Sequence, residues 1–273
     1  MIPILTYHQI ATPPASPSPF RSLSVPVTHF ESQMAWLYRL GYQGLSMSEL
    51  MPYLRGDKTG RVVGITFDDG YLNNLTQALP VLTRMGFTST VYAVSQMLGQ
   101  SNAWDQAIGV PKSDLMNASE LQTWARAGQE VGSHTRHQVR LLQSSDVVAR
   151  EEIGRSKAEL EDLLGQAVTQ FCYPYGEFNA THQSWVEEAG YAAATTTVRS
   201  RQRIGAREPM EWFALARVPV VRSTHWTQFL LKILTRHEDR HGAHGAHWAL
   251  RPQSPDQSPD QAPDQAPDQV GSA

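Results

Sequence analysis

Val62-Val63-Gly64-Ile65-Thr66-Phe67-Asp68-Asp69-Gly70 is the stretch that decides how this chain folds. Its first six residues are apolar or β-branched but for one glycine, and they do not alternate with polar residues. That is the pattern of a strand covered on both faces, as in a parallel sheet. The run then breaks into two carboxylates and a glycine, so residues capable of chemistry stand at the C-terminal end of the strand. Similar short apolar runs occur at 2–6, 90–94, 130–133, 170–173, 192–196 and 216–221. Helical segments lie between them. Capping-box pairs stand at Thr28 with Glu31, Ser46 with Glu49 and Asn117 with Glu120, each placing a side-chain acceptor at a helix start. Gly41, Gly86, Gly128, Gly165 and Gly190 fall where helices should stop. The spacing of Phe30, Met34, Leu37 and Leu40 predicts a helix over 28–40 with one apolar stripe. About seven β/α units in one chain favour a barrel over an open sheet, although periodicity alone leaves both open.

Composition narrows the class. The 273 residues carry 23 Lys+Arg against 26 Asp+Glu, a net charge of −3 that argues against a general nucleic-acid binder. The single cysteine, Cys172, excludes an intramolecular disulfide framework. No apolar run approaches the roughly 20 residues that span a bilayer, and the opening MIPILTYHQI lacks the basic start of a secretory signal. A cytoplasmic protein is the expectation. The chain divides at 236. Residues 237–273 hold His237, His241, His244 and His247, then an SPDQ/APDQ repeat with little apolar surface to bury, and the expectation there is disorder. The clustered histidines read as part of a polar tail rather than a dedicated metal site.

Chemistry-bearing residues gather just after the strands: Tyr7-His8, Asp68-Asp69, His134-Thr135-Arg136-His137 and Pro174-Tyr175-Gly176. In a β/α barrel those ends open on one face, where the active site lies. Asp-Gly alone is an ordinary turn pair. Combined with two histidines at another strand end, it reads as a site. One Asp and two His leave open coordination positions, the arrangement of a hydrolytic metal, and the second Asp is a natural base for an activated water.

These residues resemble the polysaccharide deacetylase family, carbohydrate esterases with a NodB-like domain. The carriers are Thr66-Phe67-Asp68-Asp69-Gly70, Ser133-His134-Thr135 and Phe171-Cys172-Tyr173-Pro174-Tyr175-Gly176, and the likeness covers most of 1–230. The resemblance implies a distorted (β/α)7 barrel, a divalent metal, zinc by preference, Asp68 as general base and Asp69 as metal ligand with His134. It also implies that Pro174 and Tyr175 line the substrate, the Tyr175 N–H helping to hold the oxyanion. Leu5-Thr6-Tyr7-His8 resembles the family's general-acid motif moved to the start of the chain, as in the circularly permuted branch that includes poly-N-acetylglucosamine deacetylases.

Three departures from the family pattern stand out. The family's second metal histidine has no counterpart at the usual spacing, where Gln138 stands, while His137 comes one residue early. Both remain candidates, with imidazole the better zinc ligand. Cys172 replaces an Arg that holds the catalytic Asp, and Arg217 is the candidate substitute, counted with the substrate-binding residues. No Asp-x-x-Asp-Trp motif orients the acid histidine. Trp104 and Tyr71 are candidates to stack on a sugar or to pack the rim, and Arg199, Arg201, Arg203 and Arg207 to grip a phosphate or to be a solvated loop. The expected activity is metal-dependent removal of an N-acyl group, most simply acetyl, from an amino sugar. The rival is a sugar-binding pseudoenzyme whose metal site has decayed at Gln138.

Overall fold

In the computed structural model, which describes residues 1–240, the decisive stretch forms a strand with every residue buried. The strands are β1 (Ile4–Tyr7), β2 (Gln9–Ile10), β3 (Ser24–Val25), β4 (Gln43–Leu45), β5 (Val62–Phe67), β6 (Thr90–Ala93), β7 (Glu130–Ser133), β8 (Gln170–Cys172), β9 (Ala193–Arg199) and β10 (Leu215–Pro219). The helices are α1 (Val27–Arg39), α2 (Met47–Arg55), α3 (Leu79–Met85), α4 (Ala118–Arg126), α5 (Asp146–Leu164), α6 (Ala180–Glu188) and α7 (Trp226–Leu234). The main sheet runs β1-β10-β9-β8-β7-β6-β5, all parallel, and β5 pairs back onto β1 with Leu5 opposite Ile65 and Tyr7 opposite Phe67. The sheet is therefore a closed seven-stranded (β/α)7 barrel, with one strand for each of the seven expected runs.

The barrel is distorted at one place. On its other side β5 pairs with β4 through Val62–Gly64 and with β6 only from Thr66 onward, so β4 is wedged into the N-terminal half of the wall. Gly64 permits this crowding: a Cβ there would stand 2.8 Å from Leu50 and 3.3 Å from Ile4. The expected capping box forms in full at Asn117, with both reciprocal bonds; at Ser46 the side chain accepts the Glu49 N–H, but the Ser46 N–H goes to Thr88 Oγ1, so only half of the box is made. The Thr28 box does not form, because α1 begins one residue earlier, directly after Pro26.

Alternation along the strands sorts their side chains into two sets. Leu5, Tyr7, Val63, Ile65 and Phe67 join Phe30, Met34 and Trp124 in the core between wall and helices. Ile4, Val62, Tyr92, Cys172, Ala193 and Leu215 join Met47, Leu50 and Leu54 of α2 in a second, inner core. Further along the inner set come Thr6, Thr66, Thr195 and Arg217, all buried. The inside of the barrel thus changes from apolar at the α2 end to polar at the C-terminal strand ends.

The packed chain continues past the expected boundary at 236. Glu238 is fully buried, paired with Lys232 and Arg199, and Asp239 pairs with Arg201. Arg203 pairs with Glu211, and Arg207 donates to Gln202 Oε1 and lies over the Trp212 ring. The arginine run is therefore an internal ion-pair network at the end of β9, not a free cationic loop. The remaining tail histidines and the SPDQ/APDQ repeat lie outside the described residues. Among the described residues no helix is long and apolar enough to cross a membrane.

Candidate active site

Asp68 follows β5 directly and is 3% exposed. Arg217 reaches it from β10 as a two-pronged fork, Nη1 to Oδ1 at 2.7 Å and Nη2 to Oδ2 at 2.8 Å. The other guanidinium hydrogens are also taken. Nε donates to Thr196 O at 2.9 Å, Nη1 to Thr66 Oγ1 at 3.0 Å and Nη2 to the Cys172 sulfur at 3.2 Å. A guanidinium has five N–H donors, so Arg217 has none left for a substrate. Its place is under the carboxylate, which corrects its assignment among substrate-binding residues. Burial pushes the Asp68 carboxyl up, but the Arg217 charge and hydrogen bonds, helped by His8 and His134, outweigh it and hold the pKa down at about 2. Asp68 is thus ionised at any ordinary pH and locked in orientation. His8, just after β1 and partly exposed, brings Nε2 to 4.0 Å from Asp68 Oδ2.

Asp69 points elsewhere because its backbone is left-handed, with φ 73°. Aspartate tolerates that region better than most residues, and the turn separates two adjacent carboxylates into different environments. Asp69 meets no arginine. Burial, opposed by His134 and reinforced by Asp68 and Asp105, raises its pKa to about 7, with a hydrogen bond from Tyr71 pulling the other way. His134 Nε2 stands 3.5 Å from Asp69 Oδ1. On the far side of the ring, Nδ1 lies 2.8 Å from the Cys172 carbonyl oxygen. A carbonyl only accepts, so Nδ1 carries the hydrogen; when the ring is neutral, Nε2 is an acceptor turned towards the carboxylate. Two acceptors facing each other in a buried place suit a shared cation.

The third member of this group is Gln138. Its Nε2 donates to Asp69 Oδ1 at 3.0 Å, while its Oε1 is buried without a hydrogen-bond partner. An orphaned buried acceptor costs about 1–3 kcal/mol. His137, expected as the ligand, turns the other way. Its Nδ1 lies 2.7 Å from Glu152 Oε1 on α5, its backbone N–H donates to the same carboxylate, and its ring is half exposed. Glu152 also takes the Arg136 N–H, so one buried carboxylate anchors the loop and carries His137 away from Asp69.

Asp68, His134 and Cys172 also bring potential ligand atoms within 4.8 Å of one another. That set is a poorer cation site. Arg217 already occupies both Asp68 oxygens and the sulfur, and burial raises the thiol far above its usual pKa, keeping it neutral. Asp69, His134 and Gln138 fit a divalent ion better by donor type and by their spare lone pairs.

Pro174–Gly176 forms the turn after β8, with Tyr175 left-handed at φ 58°. Gly176 is obligatory here, since a Cβ would fall 1.9 Å from Thr197 Oγ1. The Arg140 guanidinium lies 4.1 Å over the Tyr175 ring and pairs with Glu177. Burial, with the Asp105 and Asp69 charges adding, raises the Tyr175 hydroxyl pKa. Tyr71 does not stack on a ligand surface. It is buried, with its hydroxyl hydrogen-bonded to Asp69 and Gln9. Sequence reading missed this role, and it passed over Asp105, beside Trp104, whose raised pKa stems from burial offset by Trp104, His8 and Arg140. The only available signal was a carboxylate in the Asn102-Ala103-Trp104-Asp105 segment.

Residues 55–194 match the family model for polysaccharide deacetylases. YxkH of Bacillus subtilis, named as a polysaccharide deacetylase, is 30% identical over 72% of this chain and 64% of its own length. The poly-β-1,6-N-acetyl-D-glucosamine N-deacetylase of Staphylococcus aureus is 23% identical over 64% of this chain and 62% of its own. The chain thus spans less than two thirds of these curated relatives. Among solved structures, the Streptococcus pyogenes deacetylase PplD, in complex with acetate, superposes with a TM-score of 0.70 at 22% identity, covering 85% of this chain and 97% of that one. That likeness concerns the fold.

Proposed function

The chain belongs to the polysaccharide deacetylase family, and from that premise we propose that it is a metal-dependent hydrolase removing an N-acyl group, acetyl in the simplest case, from an amino sugar of a glycan or glycan precursor. One observation carries the reading: a carboxylate kept ionised by a five-bond arginine clamp stands beside a separate buried Asp–His pair suited to a cation. Asp69 and His134 would hold the ion, zinc by preference of the imidazole. When bound, such an ion supplies polarisation of the amide carbonyl and lowers the pKa of water towards ~7.

The protein's own groups do the rest. Asp68 accepts a proton from the water that attacks the carbonyl carbon. Arg217 keeps that carboxylate charged and aimed before the proton arrives. His8, with Nε2 4.0 Å from Asp68 Oδ2, donates a proton from Nε2 to the leaving nitrogen, without which an amine anion would have to depart. The Tyr175 N–H, in a strained turn that Gly176 and Thr197 fix, is the candidate donor to the developing oxyanion. Loss of one such donor typically lowers turnover by ~10²–10³.

A second reading, a sugar-binding protein without turnover, draws on Gln138, whose amide hydrogen occupies Asp69 where an ion would otherwise sit. The test is metal content after purification, followed by release of free amine from N-acetylated chitooligosaccharides and from nucleotide-linked N-acetyl sugars. Amine release that stops on chelation and returns with zinc supports the hydrolase. Binding of these sugars with no release under any metal supports the second reading.

A further inference from the structure

Gln138 is 7% exposed, and its side chain is aimed at Asp69 by a strained loop. Thr135 and Gln138 both have left-handed backbones, φ 65° and 58°. For a β-branched residue such as threonine that conformation is a true outlier. The Thr135 hydroxyl accepts the Gln138 N–H at 3.2 Å, closing the turn between the two strained positions. Strain of this kind persists where the surrounding structure enforces it, commonly at functional sites. Here it delivers one amide side chain to one carboxylate, while Glu152 withdraws the neighbouring imidazole.

The distances around Asp69 Oδ1 are 3.0 Å to the Gln138 amide and 3.5 Å to His134 Nε2. Donors that share an ion at ~2.1 Å stand roughly 3.0–3.4 Å apart, the shorter value belonging to six-coordinate geometry and the longer to tetrahedral. Rotating the amide by half a turn exchanges Oε1 for Nε2 without moving the side chain, since the two ends are nearly the same shape. The exchanged oxygen would face Asp69 Oδ1, an arrangement that requires a cation between them.

We infer that Gln138 is the third protein ligand, through Oε1, giving a site of two oxygens and one imidazole that narrows the usual advantage of zinc over manganese. The chemistry follows from donor type: carbonyl and carboxylate oxygens suit manganese, and each imidazole given up weakens the site more for zinc. This rests on the hydrolase reading only in supposing that an ion binds. The test measures binding, so a protein that holds ions but turns over no sugar would leave this inference standing.

Dissociation constants for zinc and manganese, by chelator competition on the full chain, are compared for the wild type, Gln138→Ala, Gln138→Glu, Gln138→His and His137→Ala. The cobalt-loaded forms are compared by visible absorption. Gln138→Ala is expected to lose about tenfold or more in affinity for both ions, in the range seen when a supporting group of a metal site is removed. Gln138→Glu, which keeps an oxygen at the same reach, should retain binding. Gln138→His should tighten zinc more than manganese and change the cobalt spectrum, and His137→Ala should do neither. Unchanged or tighter binding in Gln138→Ala, an unaltered zinc-to-manganese ratio in Gln138→His, or loss of metal in His137→Ala would overturn the inference.

Discussion

Arg217→Met removes the clamp beneath Asp68 while keeping an unbranched chain of similar reach. In the wild type, Asp68 is held at about 2 against an ordinary 3.8. At about 1.4 kcal/mol per pKa unit, that favours the folded, ionised form by ~2 kcal/mol at neutral pH. The sign follows from the depressed pKa: this stability is complete above the unfolded value of 3.8 and disappears as pH falls through about 2. Asp69 shows the direction in which burial moves a carboxylate that has no such clamp. It is equally buried, adjacent in sequence and unaccompanied by arginine, and it sits at about 7. The variant should therefore titrate above the wild type, moving the acid limb of the pH–rate profile upward, with turnover falling about tenfold for each pH unit below the new value. Breaking a buried pair by removing one partner should also cost about 3–5 kcal/mol in urea unfolding at pH 8. Adding Asp68→Asn should return part of that stability, because no buried charge is then stranded. An acid limb and an unfolding midpoint indistinguishable from wild type would refute the argument that Arg217 sets the charge state of Asp68.

Other expectations separate the roles of neighbouring groups. Asp68→Asn should keep bound metal after dialysis yet lower turnover by ~10²–10⁴, the usual contribution of a positioned base. Asp69→Ala should lose the metal, and equal metal content in the two variants would contradict the division. His8→Ala should leave metal content unchanged and abolish the basic limb of the pH profile, since only its protonated form can supply the leaving nitrogen. Gly176→Ala places a Cβ 1.9 Å from Thr197 Oγ1 at a φ of 70°. It should destabilise the fold by at least ~1–3 kcal/mol in thermal or urea unfolding, and Thr197→Ala should return only part of that loss, because the Thr197 Cβ, 2.8 Å from the added Cβ, and the backbone strain both remain.

The barrel was legible because its wall is local pattern: seven short apolar runs, each ending in polar residues, became seven parallel strands. β4 was not, since Gln43-Gly44-Leu45 is too short to show a pattern and owes its place to Ile65 and Phe87, which leave no room for a side chain at Gly44. The Asp68/Asp69 division could be anticipated from adjacency, and the family likeness already made Arg217 the candidate to hold Asp68, as the fork shows; no local pattern announces that partner, which is distant in sequence and brought close by closure of β10 onto β1. The direction His137 takes was hidden for a similar reason. Ligand chemistry favoured imidazole, and nothing in the loop sequence announced that Glu152, on a helix packed behind it, would take both its ring and its backbone N–H. Spacing finds residues at a strand end. It does not say which way each one turns.

That limit explains why one pair of adjacent carboxylates can serve two purposes. Both leave β5 within two residues, into the same polar mouth, and burial raises both pKa values. The difference is made by a positive φ at Asp69 and by an arginine that only Asp68 can reach. One carboxylate receives a permanent internal cation and becomes a fixed, always-ionised acceptor. The other meets a tyrosine hydroxyl, the Nε2 edge of an imidazole and an amide N–H, and so remains a demand for positive charge. A site that needs a base and an ion side by side, without the ion neutralising the base, requires this separation. Supplying the first charge from the protein leaves the second place for the ion that the proposed hydrolase would take from solution.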